Sequence, residues 1–245
     1  MKRRPKISAV HSPGRFPRER PLGALFYGAD CLDDVELVSQ MPWSGGYPVR
    51  VKLKVDGAQA IGLVSSPILD VSVTEVAELW PHGLVRQDDE RWDWATLVRQ
   101  HPDGTDWRQF QLTAAERVQG LLIVQSSWPT RSPANTGTLG AYMEYVATAP
   151  WNRLDEQGRR IDERFARVTP VGRLLVGVAI SLSRQLGWEG RMGWHSKPGA
   201  ETWYKDVLPG LWAGGPDLEE DGLEYFEISA DVATTYLAGI SGSFG

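Results

Sequence analysis

Arg167-Val-Thr-Pro-Val-Gly-Arg173 opens the most regularly patterned run of the chain. Thr169 has an N-capping side chain, and Pro170 suits the first helical position, where a missing N–H would have had no partner. Val171, Leu174, Leu175, Val178, Ala179 and Leu182 then recur at helical spacing, and Gly187 suits a left-handed C-terminal cap. Such a helix leaves backbone N–H groups unpaired at the positive end of its dipole. Gly172 removes bulk beside them, while Arg167 and Arg173 add positive charge. The combination can seat a phosphate or diphosphate. An ordinary capped helix carries the same pattern, so the residues alone leave both readings open.

Other sites of this kind are missing from the sequence. There is no G-x-x-x-x-G-K-[ST] loop and no strand-linked G-x-G-x-x-G, which removes support for the usual ATP and dinucleotide readings. H-E-x-x-H, C-x-x-C and G-x-S-x-G are absent as well, weakening zinc-hydrolase and serine-hydrolase readings, and no metal site is expected.

The elements that must position the helix can be read from periodicity. Val49, Val51, Leu53 and Val55 alternate with Arg50, Lys52 and Lys54, Asp56-Gly57 supplies a turn, and Ala58 to Val64 returns as the second strand of a hairpin. Ser72-Val-Thr-Glu75 reads as a capping box before a short helix through Val76, Leu79 and Trp80, stopped by Pro81-His-Gly83. Trp94, Leu97 and Val98 predict another short helix. Strands are expected at 107–113, 120–125, 140–148, 192–195 and 223–228, and further helices at 199–206 and 231–237. This order predicts an α/β fold with a mixed sheet. Three regions are expected: a basic disordered tail (1–21), a hairpin and short-helix elaboration (22–85) and a main domain (86–245).

The strand Ala141-Tyr-Met-Glu-Tyr-Val-Ala-Thr-Ala-Pro150 is followed by Arg167-x-x-Pro-x-Gly172 at a helix start. Gly190-Arg-Met-Gly-Trp-His-Ser196 and Ala200-Glu-Thr-Trp-Tyr204 come next, and the series resembles the GNAT acyltransferases. Their diphosphate loop is written [QR]-x-x-G-x-[GA], and an A-x-x-x-Y follows beside the thiol of coenzyme A. The resemblance spans roughly 90–228, most strongly 139–204. It implies a mostly antiparallel mixed sheet flanked by helices, binding of acetyl-CoA, and acetyl transfer to an amine. Three positions depart from the pattern: Pro170 replaces the first loop Gly, residues 152–164 form a longer insertion, and Lys197 stands where Asn is frequent.

Transfer of an acyl group from a thioester to an amine requires alignment, a neutral amine, stabilisation of the developing oxyanion and a proton for the leaving thiolate. The resemblance assigns the cofactor to Val146, Ala147 and Thr148 on the strand, to Arg167, Val168, Thr169, Val171, Gly172 and Arg173 at the loop and helix start, and to Ala200. An N–H near Val146 or Ala147 would face the oxyanion. Tyr204 would be the general acid, or else a packed aromatic beside Trp203. Glu144 is the candidate base, with His195 or water as substitutes. Glu219, Glu220, Asp221, Glu224 and Glu227 could draw in a cationic amine or simply be solvated, and Trp194, Trp203 and Trp212 could line a pocket or the core. A binding or regulatory module that keeps the fold without turnover is the rival reading.

Composition sets outer limits. The chain has 245 residues and a formal net charge of −5, yet residues 1–20 carry seven Lys or Arg against one acid, leaving −11 on the remainder. An acidic body speaks against nucleic acid as the principal partner, although the basic tail could touch RNA or anionic lipid. Cys31 is the only cysteine, which excludes an internal disulfide and fits a reducing compartment. With no long apolar run in the sequence, no membrane association is expected and a cytoplasmic location is. The expected partner is a small-molecule or protein amine, and a homodimer is admitted.

Overall fold

A computed structural model describes residues 49–81, 89, 91–155 and 157–242. The expected basic tail, Cys31 and the boundary expected at 85/86 lie outside the described residues.

Among the described residues nine strands form one sheet: β1 (Val49–Val55), β2 (Ala58–Ser65), β3 (Trp107–Ala114), β4 (Arg117–Pro129), β5 (Leu139–Thr148), β6 (Val168–Thr169), β7 (Met192–Ser196), β8 (Trp212–Asp217) and β9 (Leu223–Ile228). Their spatial order is β6-β1-β2-β3-β4-β5-β7-β9-β8. Every neighbouring pair is antiparallel except β5 and β7. Helices are α1 (Asp70–Leu79), α2 (Trp94–Gln100), α3 (Val171–Gln185), α4 (Glu201–Val207) and α5 (Ala230–Gly242). None is long and apolar enough to cross a membrane. The mixed, mostly antiparallel sheet with flanking helices is the architecture expected from the sequence.

Two apolar clusters account for the layering. One joins strand residues such as Leu122, Met143, Trp194 and Phe226 to Leu174, Leu175 and Val178 of α3, Tyr204 of α4 and Tyr236 of α5. The other joins Leu121, Ile123 and Ala147 to Val73 and Val76 of α1 and to Trp80, Trp94 and Trp151. Helix α3 is buried on nearly all sides because α5 covers the flank that the sheet does not, and the Tyr236 hydroxyl donates to the Arg173 carbonyl at 2.9 Å. Its C-terminus closes as expected: Gly187 has φ +87°, Gly187 N–H donates to Arg184 O at 3.1 Å and Trp188 N–H to Ser183 O at 2.8 Å.

The β1–β2 hairpin forms as expected and joins the sheet, since β2 pairs with β3 and β1 carries β6 on its outer edge. Other local expectations are corrected. Ser72 is not an N-cap: Leu69 holds that position, Ser72 is buried within α1, and the Glu75 carboxylate accepts from Val118 N–H at 3.0 Å. Thr169 is likewise no cap, because it lies in β6 opposite Lys54 and Pro170 holds the N-cap position of α3. Strand β8 had no forecast at all.

Gly120 on β4 lets α3 settle onto the sheet. A Cβ there would stand 2.7 Å from Leu175 Cδ1, 2.8 Å from Val171 Cγ1 and 3.1 Å from the Ala147 carbonyl oxygen. Gly120→Ala is therefore expected to destabilise the fold by about 1–3 kcal/mol through overpacking, measured as a lower urea midpoint. An unchanged midpoint would show that the helix has slack at this contact.

Candidate active site

β5 and β7 begin side by side and then part. Only Ala141 with Met192 and Tyr142 with Gly193 are paired, although β5 continues to Thr148 and β7 to Ser196. The cause is a bulge: Val124 faces Met143, whereas Ile123 faces Tyr145, so Glu144 is the extra residue on β5. Before the bulge, Ala141 and Met143 project into the α3-side cluster. After it, Tyr145 and Ala147 project into the opposite cluster, and Val146 turns toward α3.

The bulge also decides which backbone groups line the gap. Ala149 N–H donates to Gln119 O at 2.9 Å. By the alternation of an antiparallel ladder, Ala147 also turns its N–H and C=O toward β4, while Val146 and Thr148 turn theirs into the gap. Of the two amides expected near an oxyanion, only Val146 N–H faces the gap, and that of Ala147 points to β4. The Thr148 carbonyl is already held by Arg153, which donates to it at 2.8 Å from Nε and 2.6 Å from Nη2 and also pairs with Asp89.

The wide end of the gap faces the start of α3. Leu174 N–H is bonded to Pro170 O at 3.1 Å and no side chain caps the helix, so the amides of Val171, Gly172 and Arg173 lack intrahelical acceptors. The rest of the expected cradle is spent elsewhere. Arg167 N–H donates to Asp56 Oδ1 and Val168 N–H to Asn152 Oδ1, at 2.8 and 2.7 Å. The Val168 side chain is buried in the core. Asn152, at the start of the long insertion, also bonds Gln119 Oε1 at 2.9 Å, and thus ties the loop to β4. The insertion is a brace, and the amides left for an anion are those of residues 171–173.

Gly172 has a near neighbour. A Cβ on it would lie 3.2 Å from Cζ2 of Trp203 and 3.7 Å from Cγ2 of Thr148. The Trp203 ring, 39% exposed, and the end of β5 at Thr148 thus both flank the start of α3 at Gly172. Tyr204 follows it on α4, buried with its ring 5.0 Å from that of Trp194, and burial pushes its phenol above the ordinary value of 10. Ala200, at the N-cap position of α4, packs against the same cluster. Trp194 is fully buried and forms core, not pocket lining.

On the opposite face Glu144 is half-buried. Burial raises its carboxyl above the usual range, His101 opposes this and Glu220 reinforces it. Aromatic rings surround the position: Tyr145 stands 5.1 Å from Trp92 and 5.4 Å from His101. Tyr204 and Glu144 thus lie on different faces of the sheet.

A hydrogen-bonded chain beside Glu144 had no forecast beyond His195. Asp217 Oδ2 lies 3.1 Å from His195 Nε2, and the Tyr142 hydroxyl 2.5 Å from His195 Nδ1. Arg131 forms a salt bridge to Asp217 and stacks over Tyr225 at 4.5 Å. The arginine hydrogen bond holds the Asp217 carboxyl down at about 2. One signal was readable: Tyr142 and Glu144 share a strand with even spacing, and His195 occupies the strand that pairs with it.

Glu227, one of the acids expected to draw in an amine, has a different task. It is 0% exposed and accepts from Arg131 N–H at 2.6 Å, Asn135 Nδ2 at 2.6 Å, Tyr225 Oη at 2.9 Å and Ser132 N–H at 3.2 Å. The carboxylate pins the β4–β5 connection to β9. Among the described residues no group of three or more His, Cys, Asp or Glu could hold a metal ion.

Solved structures similar to this chain include the GNAT domain of S. lividans PAT, with 16% identity, 77% of this chain and 99% of that one covered and a TM-score of 0.46. The ribosomal-protein-S18-alanine N-acetyltransferase from Escherichia coli has 16% identity, coverages of 68% and 90% and a TM-score of 0.37. Mycobacterium smegmatis RimJ in complex with CoA-disulfide has 12% identity, coverages of 78% and 93% and a TM-score of 0.40. No family model and no curated protein sequence matches the chain.

For Glu227, burial alone would raise the pKa, but the hydrogen bonds from Ser132, Arg131, Asn135 and Tyr225 outweigh it and lower the carboxyl. A depressed folded-state pKa contributes stability that is present above the ordinary value of 4.5 and lost as pH falls through the lowered one. Glu227→Gln should cost about 1.5–3 kcal/mol at neutral pH and flatten this acid limb, read from urea unfolding across pH. An unchanged acid limb would contradict the anchoring role.

Proposed function

We propose that the chain is a GNAT-type N-acyltransferase that carries an acetyl group from acetyl-CoA to an amine by direct attack in a ternary complex. One observation carries the reading: β5 and β7 part after two paired positions, leaving the Val146 main chain facing a gap whose wide end lies at the uncapped start of α3, where Trp203 of α4 stands against Gly172 with Tyr204 next to it in the chain. A diphosphate fits the first turn of α3 because three amides there are free of intrahelical bonds and residue 172 has no side chain. Coenzyme A would supply the activated thioester. Val146 N–H would stabilise charge developing on the thioester oxygen. Tyr204, kept protonated by burial, would give the leaving sulfur its proton.

The runner-up reading is a binding module without turnover. It is favoured by the engaged amides of Arg167 and Val168 and by Trp203 lying against Gly172. Cofactor binding unaccompanied by transfer to any of a broad set of amines would support it.

Calorimetry with acetyl-CoA should give saturable binding. Gly172→Asp should weaken it tenfold or more, equivalent to about 1.4 kcal/mol, because a carboxylate would meet the phosphate at the positive helix end. No binding at millimolar acetyl-CoA would overturn the proposal.

A further inference from the structure

We infer that Tyr142, His195 and Asp217 form a proton relay that neutralises the cationic acceptor amine, with Tyr142 as the member that meets it. This inference rests on the acyl-transfer reading and adds the group that removes the amine proton. Tyr142 is the last β5 residue paired with β7 before the strands part, so the relay stands at the apex of the gap. It lies on the face that carries Glu144, away from Tyr204.

The direction of the relay follows from donor chemistry. Asp217 is ionised and can only accept, so the proton of a neutral His195 must sit on Nε2, and Nδ1 must accept from the Tyr142 hydroxyl. The phenol oxygen is then left with lone pairs for a further donor. His195 meets the groups that set its charge from several elements: Tyr142 on β5, Asp217 on β8, Tyr225 on β9 with its ring 5.0 Å away, Arg131 after β4, and Glu220. Burial lowers its pKa, Asp217 and Glu220 oppose this, Arg131 adds to the lowering, and the net direction is downward. The imidazole is therefore neutral and able to accept at neutral pH. Burial, Glu144 and Glu220 all raise the Tyr142 phenol, so it passes a proton along and does not hold a phenolate.

Protons balance as follows. An ammonium gives one proton to the Tyr142 oxygen while the Tyr142 proton moves to His195 Nδ1, and the resulting imidazolium is held by the Asp217 carboxylate. The neutral amine then forms the C–N bond as the C–S bond breaks, its second proton reaches sulfur by way of Tyr204, and, after the product leaves, the stored proton returns from His195 Nδ1 through the Tyr142 oxygen to water. His195 and Asp217 act through Tyr142 and are positioning residues.

Two measurements test the relay. In the full chain, nitrogen-15 histidine spectra should show His195 protonated at Nε2 and accepting at Nδ1. A proton on Nδ1 would overturn the inference, because Tyr142 could then not donate. Second, acetyl transfer from acetyl-CoA would be followed at about pH 7.5 with 2-phenylethylamine, which is cationic, and hydroxylamine, which is already neutral. Tyr142→Phe and His195→Gln should lower kcat/KM for the cationic amine by about 100-fold and by at least tenfold more than for hydroxylamine. Equal losses on both amines, or none, would overturn the relay. Acetyl-CoA binding without turnover of either amine by the native chain would also overturn it, whereas absent acetyl-CoA binding would sink the acyl-transfer reading itself.

Discussion

The structure turns on one residue too many in a strand. Because Glu144 has no counterpart on β4, the pleat of β5 changes phase, and the strand leaves β7 after two paired positions. An uninterrupted parallel pair would satisfy its own backbone and offer nothing to a ligand. With the bulge, main-chain groups of Val146 face an open gap inside the sheet. The apolar clusters on the two faces keep this change of phase in place, since Met143 packs into one layer and Tyr145 against the other.

Much of the surrounding apparatus serves to keep the loop before α3 in place. Asp56, in the tight β1–β2 turn, both donates to and accepts from the Arg167 main chain, and Asn152 holds Val168. These contacts take two amides from the expected cradle and in exchange fix where the helix begins. The long insertion and the hairpin are therefore part of the machinery that sets α3. Gly120 completes the arrangement by allowing the helix to lie against β4.

Periodicity made the strands and the stripe of α3 legible, since alternating Val and Lys in β1 or Leu at helical spacing leave little freedom. The bulge was not legible, because it is a relation between β4 and β5 and neither strand carries it alone. Asp56 lies 111 residues from Arg167, and no local pattern announces such a bond. Strand β8, written Trp-Ala-Gly-Gly-Pro-Asp, has a composition that argues against a strand and forms only as an edge on β9. Asp217 was hidden with it. His195 could be read as a titratable residue at a strand end, but its partners on β5 and β8 could not.

The most direct examination of this account is amide hydrogen exchange, resolved to single residues, with and without coenzyme A. Slowed exchange confined to Val146 and to Val171, Gly172 and Arg173 is the outcome required by a thiol cofactor lying between the parted strands with its diphosphate on α3. Protection that leaves these four amides untouched, or that falls instead on the opposite edge of the sheet around β1 and β2, would contradict it.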